Sequence, residues 1–163
     1  MILLQKISLT DLSWAKCSEW FLETYFLAVE NEISKGAART WRRVDRSQKS
    51  ELQSTFEALL SQNEKTCLWV AFQDETPVGY FLGLIKDCIA EIPRQMGYIN
   101  GLYVIPSLRR HQIGSQLYAK GLQWFQERGI RHFELYTAIE SEEATRFWSH
   151  HGFKVSEQVM NRG

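Results

Sequence analysis

Cysteine is scarce in this sequence, and neither sign of charge prevails. The three cysteines, Cys17, Cys67 and Cys88, are odd in number, far apart and form no CxxC pair. That pattern argues against a disulfide framework and a zinc site, so no metal is expected, and it fits a reducing, cytoplasmic setting. The thiols read as small buried hydrophobes. Lys plus Arg number 19 and Asp plus Glu 19, so the formal net charge is zero. Such a balance gives no support for nucleic acid or a polybasic membrane surface as a partner. No apolar run reaches the ~18 residues of a spanning helix. The start, Met1 to Lys6, lacks the basic segment that precedes the apolar run of a signal peptide. No internal repeat, low-complexity tract or linker is present.

What remains is an ordinary globular composition, 44% hydrophobic and 23% charged over 163 residues. Residues 1–163 read as one domain able to bury its own core. Ile2 to Ile7 is a predicted strand, and Thr10 or Asp11 caps a helix whose apolar face includes Leu12, Trp14, Cys17, Phe21, Tyr25 and Ala28. The helical period is lost over 31–46, where Gly36, Arg39, Arg42, Arg43 and Arg46 mark an irregular basic stretch. Ser47 caps a second helix with Leu52, Phe56, Leu59 and Leu60 inward. Strands follow at Thr66 to Gln73 and Val78 to Lys86, joined through an Asp74–Pro77 turn. After a polar loop over 87–96, Tyr98 to Val104 is a strand and Gln112 to Arg128 a helix, with Ile113, Leu117, Trp124 and Phe125 inward. Gly129 ends that helix. Arg131 to Thr137 is a strand, Ser141 caps a last helix that Gly152 ends, and Phe153 to Val159 is a final strand. The order β-α-α-β-β-β-α-β-α-β describes an α/β (α+β) domain with a mixed sheet.

The chemistry concentrates between residues 98 and 118. A strand ends at Val104, an arginine-bearing loop follows, and a helix opens near Gln112. The first N–H groups of a helix lack intrahelical partners, and the dipole adds positive potential, so this is a ready anion site. Arg109 and Arg110 add charge for phosphate oxygens, and Gly114 lets the backbone approach a bulky anion. A P-loop and a GxGxxG fingerprint are both absent, which argues against a P-loop nucleotidase and a Rossmann cofactor.

The same stretch resembles the GNAT acetyltransferase superfamily. That family's loop runs Arg or Gln, two residues, Gly, one residue, then Gly or Ala, after a strand ending Leu-Tyr-Val-x-Pro. Here Leu102-Tyr103-Val104-Ile105-Pro106 is followed by Arg109-Arg110-His111-Gln112-Ile113-Gly114. Gln112 replaces the first glycine, and its N–H still serves an anion at a negative φ. A second family element matches downstream, with Ala144, Phe147, Gly152 and Phe153 in place. Ser141 replaces its Asn and Trp148 its Tyr.

The resemblance implies a mostly antiparallel central sheet with helices on both faces and two central strands splayed by a bulge. Acetyl-CoA is the implied co-substrate and an amine the implied acceptor. Pantetheine would bond to the backbone of Leu102, Tyr103 and Val104. The pyrophosphate would sit on the amides of Arg110, His111, Gln112, Ile113, Gly114 and Ser115, with Arg109 alongside. Ala144, Phe147 and Trp148 would line the cofactor from the last helix, Trp148 against the pantetheine sulfur. The Val104 N–H is the chosen oxyanion donor. Acid positions on the family's strand hold Asn100 and Gly101, so the base is sought at Glu91 or Glu134 and the acid at Tyr103. The run Trp41 to Arg46 would line the acceptor side, where Trp14, Trp20 and Phe21 either wall a pocket or pack the core. His150 and His151 diverge on a helix and cannot clamp one ion. The family often adds one further strand, so a homodimer partner supplies it or it is absent. Two other readings stand beside the enzyme: a catalytically weak domain binding acyl-CoA as sensor or scaffold, and a phosphate-binding interaction module.

Overall fold

The computed structural model describes residues 1–35, 43–137 and 141–156. Gly36, Arg39, Trp41 and Arg42 of the basic stretch lie outside them. The chain runs β1 (Ile2–Lys6), α1 (Ser13–Lys35), α2 (Lys49–Ser61), β2 (Thr66–Gln73), β3 (Thr76–Asp87) and β4 (Gln95–Val104). Then come α3 (Ile113–Gln126), β5 (Phe133–Leu135) and α4 (Glu142–His150). The five strands form one sheet in the order β1-β2-β3-β4-β5. Neighbours are antiparallel through β4, and β4 pairs with β5 in parallel.

Strand alternation sorts the side chains into two cores. Leu68, Val70 and Phe72 of β2 and Tyr80 and Leu82 of β3 meet α1 and α2 through Phe21, Leu22 and Phe56. The intervening Cys67, Ala71 and Phe81 meet α3 through Leu117, Trp124 and Phe125. Period-2 strands between helices of period 3.6 thus fill both faces of the sheet. The four α3 residues expected inward, Ile113, Leu117, Trp124 and Phe125, are all buried. On α1 the face is Trp14, Cys17, Phe21, Leu22 and Phe26, whereas Leu12 precedes the helix and is 74% exposed.

Local punctuation differs in places from the sequence reading. Asp11 caps α1, its Oδ1 accepting from the Ser13 N–H at 2.7 Å. Asp45, not Ser47, opens the second helical segment, accepting from the Ser47 N–H at 3.0 Å and the Ser47 hydroxyl at 2.6 Å. A short 3-10 turn, Arg46–Gln48, then leads into α2. Asp74 and Glu75 alone make the β2–β3 turn, at φ 47° and 70°, the left-handed pair whose twist suits a two-residue hairpin. Pro77 consequently lies inside β3, beside a register shift that tolerates its missing N–H. Gly129 and Gly152 end α3 and α4 at φ 74° and 87°. Ser141 stands at the α4 cap position but makes no side-chain capping bond.

Two strands depart from expectation. The segment expected as Arg131 to Thr137 is a strand over three residues only, since β4 bends away beyond Ile99 and leaves it no partner among the described residues. Phe153 to Ser156 is not a strand, and the rest of the expected final strand lies outside the described residues.

Candidate functional site

The site begins with an irregularity in β4. Leu82 of β3 faces Gly101, and its neighbour Gly83 faces Ile99. Asn100 is therefore an extra residue, a β-bulge that bends the strand. β5 pairs with β4 only across Gly97 to Ile99. From Asn100 onward the two strands part, and among the described residues β4 presents an open edge. The Asn100 Oδ1 at this point is shut off from solvent and has no hydrogen-bond partner among the described residues.

Which backbone groups face the gap follows from the pairing. The Ile105 N–H donates to the Val78 carbonyl at 2.9 Å. Antiparallel alternation then turns the N–H and C=O of Tyr103 toward β3, and those of Leu102 and Val104 toward the gap. Tyr103 thus drops out of the expected set of backbone partners. Its ring stacks on Tyr80 with centroids 6.2 Å apart, on the α1 side of the sheet. A Cβ on Gly101 would stand 3.1 Å from the Tyr80 hydroxyl, so only glycine leaves that hydroxyl its place.

The open edge leads to the N-terminus of α3. A 3-10 turn, Pro106–Leu108, carries the chain around. Arg110 and Gln112 then take φ 67° and 64°. The condition of a negative φ at Gln112 is not met: the position keeps the left-handed backbone that a glycine would supply, at a cost for a residue with a Cβ. A left-handed residue followed by a right-handed one aims successive N–H groups into one concavity, an anion nest. The N–H groups opening α3 at Ile113, Gly114 and Ser115 lie in the same turn. Beside Gly114 an added Cβ would find its nearest neighbour, Phe147 Cε2 of α4, at 3.7 Å. Arg110 and His111 are exposed on the rim, and the His111 Nδ1 lies 2.9 Å from the Arg109 carbonyl.

Arg109 behaves otherwise than its sequence position suggested. Its Nε donates to the Val104 carbonyl at 3.0 Å, and its Nη1 donates to Glu143 Oε2 at 3.1 Å. Its guanidinium also lies 5.9 Å from the Tyr103 ring centroid. The side chain is turned into the fold, between the end of β4 and the first turn of α4.

α4 closes the site from the α3 side. Phe147 lies beside Gly114, while Trp148 packs edge-on to Tyr118 at 5.8 Å and to Phe153 at 5.3 Å. Ala144 is half-buried on the same helix. His151 sits 4.5 Å from the Tyr118 ring and 4.6 Å from Phe147, its Nε2 buried without a partner among the described residues. Burial, and then neighbouring His150, hold its pKa below the usual imidazole value.

The two remote carboxylates fare differently. Glu91 is exposed in the β3–β4 loop, beyond the Gln95 end of β4. At about 3.3 Å per residue, that end is roughly 30 Å along the strand from Val104. Glu134 lies on β5 in register with Tyr98, next to where the strands part. Its Oε1 is 3.1 Å from the Lys86 Nζ, which lies 3.5 Å from the Tyr98 ring centroid.

On the other face, a cavity of about 310 Å³ opens between α1 and α2, lined in part by Tyr25, Phe26, Arg43, Val44 and Leu52. Arg46 is spent on Glu23 at 2.7 Å and Glu30 at 3.0 Å. Trp14 and Phe21 are core residues, whereas half-buried Trp20 meets Tyr80 edge-on at 6.3 Å. Among the described residues no group of three His, Cys, Asp or Glu could hold a metal ion, and no helix is long and apolar enough to cross a membrane. The resemblance implied a bulge, but its place at Asn100 and the part of Tyr80 escaped the sequence reading. A glycine inside a strand, Gly101, was the signal that could have found both.

Diverging strands that run into an anion nest at a helix tip define an α/β domain suited to an extended ligand with a phosphate end. The match to known proteins is more specific. Residues 14–153 match the acetyltransferase (GNAT) family model, and the chain belongs to that family. An uncharacterized N-acetyltransferase of Methanocaldococcus jannaschii is 29% identical over 103 residues, 61% of this chain. The match spans 44% of that relative's length. A GCN5-related N-acetyltransferase from Ralstonia eutropha is 17% identical, with TM-score 0.75 over 99% of this chain and 98% of that one. A predicted acetyltransferase from Clostridium acetobutylicum, solved with acetyl-CoA, is 16% identical, with TM-score 0.73 over 100% and 96%.

Proposed function

We propose that this protein, read as one domain over residues 1–163, moves an acetyl group from acetyl-CoA to a primary amine of a small molecule or peptide by direct attack. The observation that carries the reading is the open edge of β4 beyond the Asn100 bulge, ending at the α3 nest. Family membership supports it, as does the acetyl-CoA in the Clostridium relative.

Acetyl-CoA supplies the activated acyl group as a thioester. The amides of Gln112 to Ser115 receive its diphosphate, with the Arg110 charge beside them. Leu102 offers its N–H and C=O to pantetheine, as a neighbouring strand would, while the Val104 carbonyl is held by Arg109. A Val104 N–H already fixed in the strand is the oxyanion donor, and such a donor needs no reorganisation when charge develops. Phe147 and Trp148 exclude water on the α4 side.

Proton transfer limits the acceptor. Asn100 and Gly101 cannot remove a proton, and Glu134 is engaged by Lys86. An amine of pKa ~10.4 costs about 4.6 kcal/mol to neutralise at pH 7, whereas an α-amine near 8 costs about 1.4. An α-amine-like acceptor, reaching the gap from the α1–α2 side, is the better fit. The thiolate leaves without a strong acid, since a thiol near pKa 8.5 is a fair leaving group at neutral pH. Tyr103, the acid suggested by sequence, has its ring on the α1 side.

A second reading is a catalytically weak domain that binds acyl-CoA as sensor or scaffold. The replacements at Asn100, Gly101 and Trp148 favour it. An acetyl-CoA thermal shift followed by thiol release with a panel of amines separates the cases. The enzyme raises its melting temperature and releases CoA with at least one amine. The sensor is stabilised and releases none. A chain that acetyl-CoA does not stabilise fits neither.

A further inference from the structure

Arg109 lies in the loop expected to receive the diphosphate, yet its guanidinium is committed elsewhere. Nε is bonded to the Val104 carbonyl at 3.0 Å, Nη1 to Glu143 at 3.1 Å, and the Tyr103 ring lies beneath the group at 5.9 Å. Two of these partners belong to the open stretch of β4 and the third to the first turn of α4. We propose that Arg109 is a positioning residue, a brace that joins α4 to the end of β4 over the cofactor cleft, and that the diphosphate draws its charge from Arg110 and the α3 amides instead.

Three observations make the brace consequential. α4 has no fully buried residue and no side-chain N-cap, so among the described residues little else fixes its N-terminal end. The helix carries Phe147, whose ring is the nearest neighbour of a Cβ built on Gly114, at 3.7 Å, beside the nest. The Val104 carbonyl that receives Nε belongs to the residue whose N–H faces the gap. A guanidinium can hold a carbonyl and a carboxylate at once because its donors are fixed in one plane; a lysine ammonium has no such fork. Glu143 gains as well, standing at the positive end of the α4 dipole.

The inference rests on coenzyme A being the ligand of the α3 nest, and one comparison keeps the two claims apart. In the brace, Glu143 helps to bind cofactor by holding α4. If Arg109 were instead a phosphate ligand, Glu143 would compete with the cofactor for it. Glu143→Gln therefore has opposite expected signs. The brace weakens acetyl-CoA binding by about two- to fivefold, the range of an exposed ion pair. Competition tightens it. Arg109→Lys, which keeps the charge and loses the fork, weakens binding as much as Glu143→Gln does, and the double variant is no worse than either single one. Hydrogen exchange of the unliganded protein gives an independent readout: amides of 142–150 exchange faster in both single variants. Tighter binding in Glu143→Gln, or α4 exchange unchanged in the variants, overturns the brace. Failure of the parent chain to bind acetyl-CoA in calorimetry overturns the cofactor reading instead, while the exchange experiment still decides whether Arg109 holds α4.

Discussion

At the scale of single residues, the site depends on a few backbone conformations and close approaches. Gln112 occupies a left-handed position at φ 64°. Relief of a left-handed strain of about 1–2 kcal/mol outweighs the entropic cost of a glycine, about 0.5–1 kcal/mol. Gln112→Gly is therefore expected to stabilise the protein by up to about 1 kcal/mol in urea unfolding while keeping acetyl-CoA affinity. Gly114 is constrained by its ligand more than by its neighbours, because an added Cβ meets only ordinary contacts, the nearest at 3.7 Å. Gly114→Asp should fold, yet its carboxylate would face the diphosphate. Acetyl-CoA affinity measured by calorimetry should fall at least about tenfold, the factor that 1.4 kcal/mol represents. Unchanged affinity would remove the α3 tip from the cofactor site. Cys17 and Cys67 illustrate the opposite case of residues with no part in the chemistry. Burial pushes both thiols up to about 12, so they behave as packing groups.

Among the elements, α4 is the one whose placement is most conditional. It docks through Phe147, Trp148 and an aromatic surround of His151 rather than through a fully buried face. His151 titrates below its ordinary value of 6.5 in the folded chain. The folded state thus binds fewer protons than the unfolded one in this window. The stabilisation is complete above about pH 6.5 and is lost as pH falls through the lower folded value. His151→Phe should remove this group's share of the loss between pH 7.5 and 5.5, seen as a smaller drop in urea midpoint than the parent shows. An equal drop in both would mean that the His151 surround does not couple α4 to pH. The short β5 is the other conditional element. Its sequence could extend to Thr137, but a strand lasts only while its neighbour runs beside it, and β4 turns away at Asn100.

For the molecule as a whole, the determining contact is the one between sheet and helix layers. A Cβ built on Gly121 of α3 would lie 2.1 Å from the Phe81 ring of β3, and Phe81 is fully buried. Gly121→Ala should cost about 1–3 kcal/mol, as overpacking does, read as a lower melting temperature, with cofactor affinity per folded molecule retained. Most of this layering was legible in advance. Period-2 strands, the α3 face, the glycine stops and the β4–loop–α3 motif follow from residue order, since they rest on local geometry and on what neighbours in sequence can bury. The orientation of Arg109 and the pairing of Glu134 with Lys86 do not. Each depends on groups distant along the chain, such as Glu143 for Arg109, or on which strand edge lost its partner. Sequence alone thus determined that a strand feeds an anion-binding helix tip in a two-sided α/β domain. Only the tertiary structure decided which charges remain near that tip, because an arginine's role is set by the nearest acceptor in space.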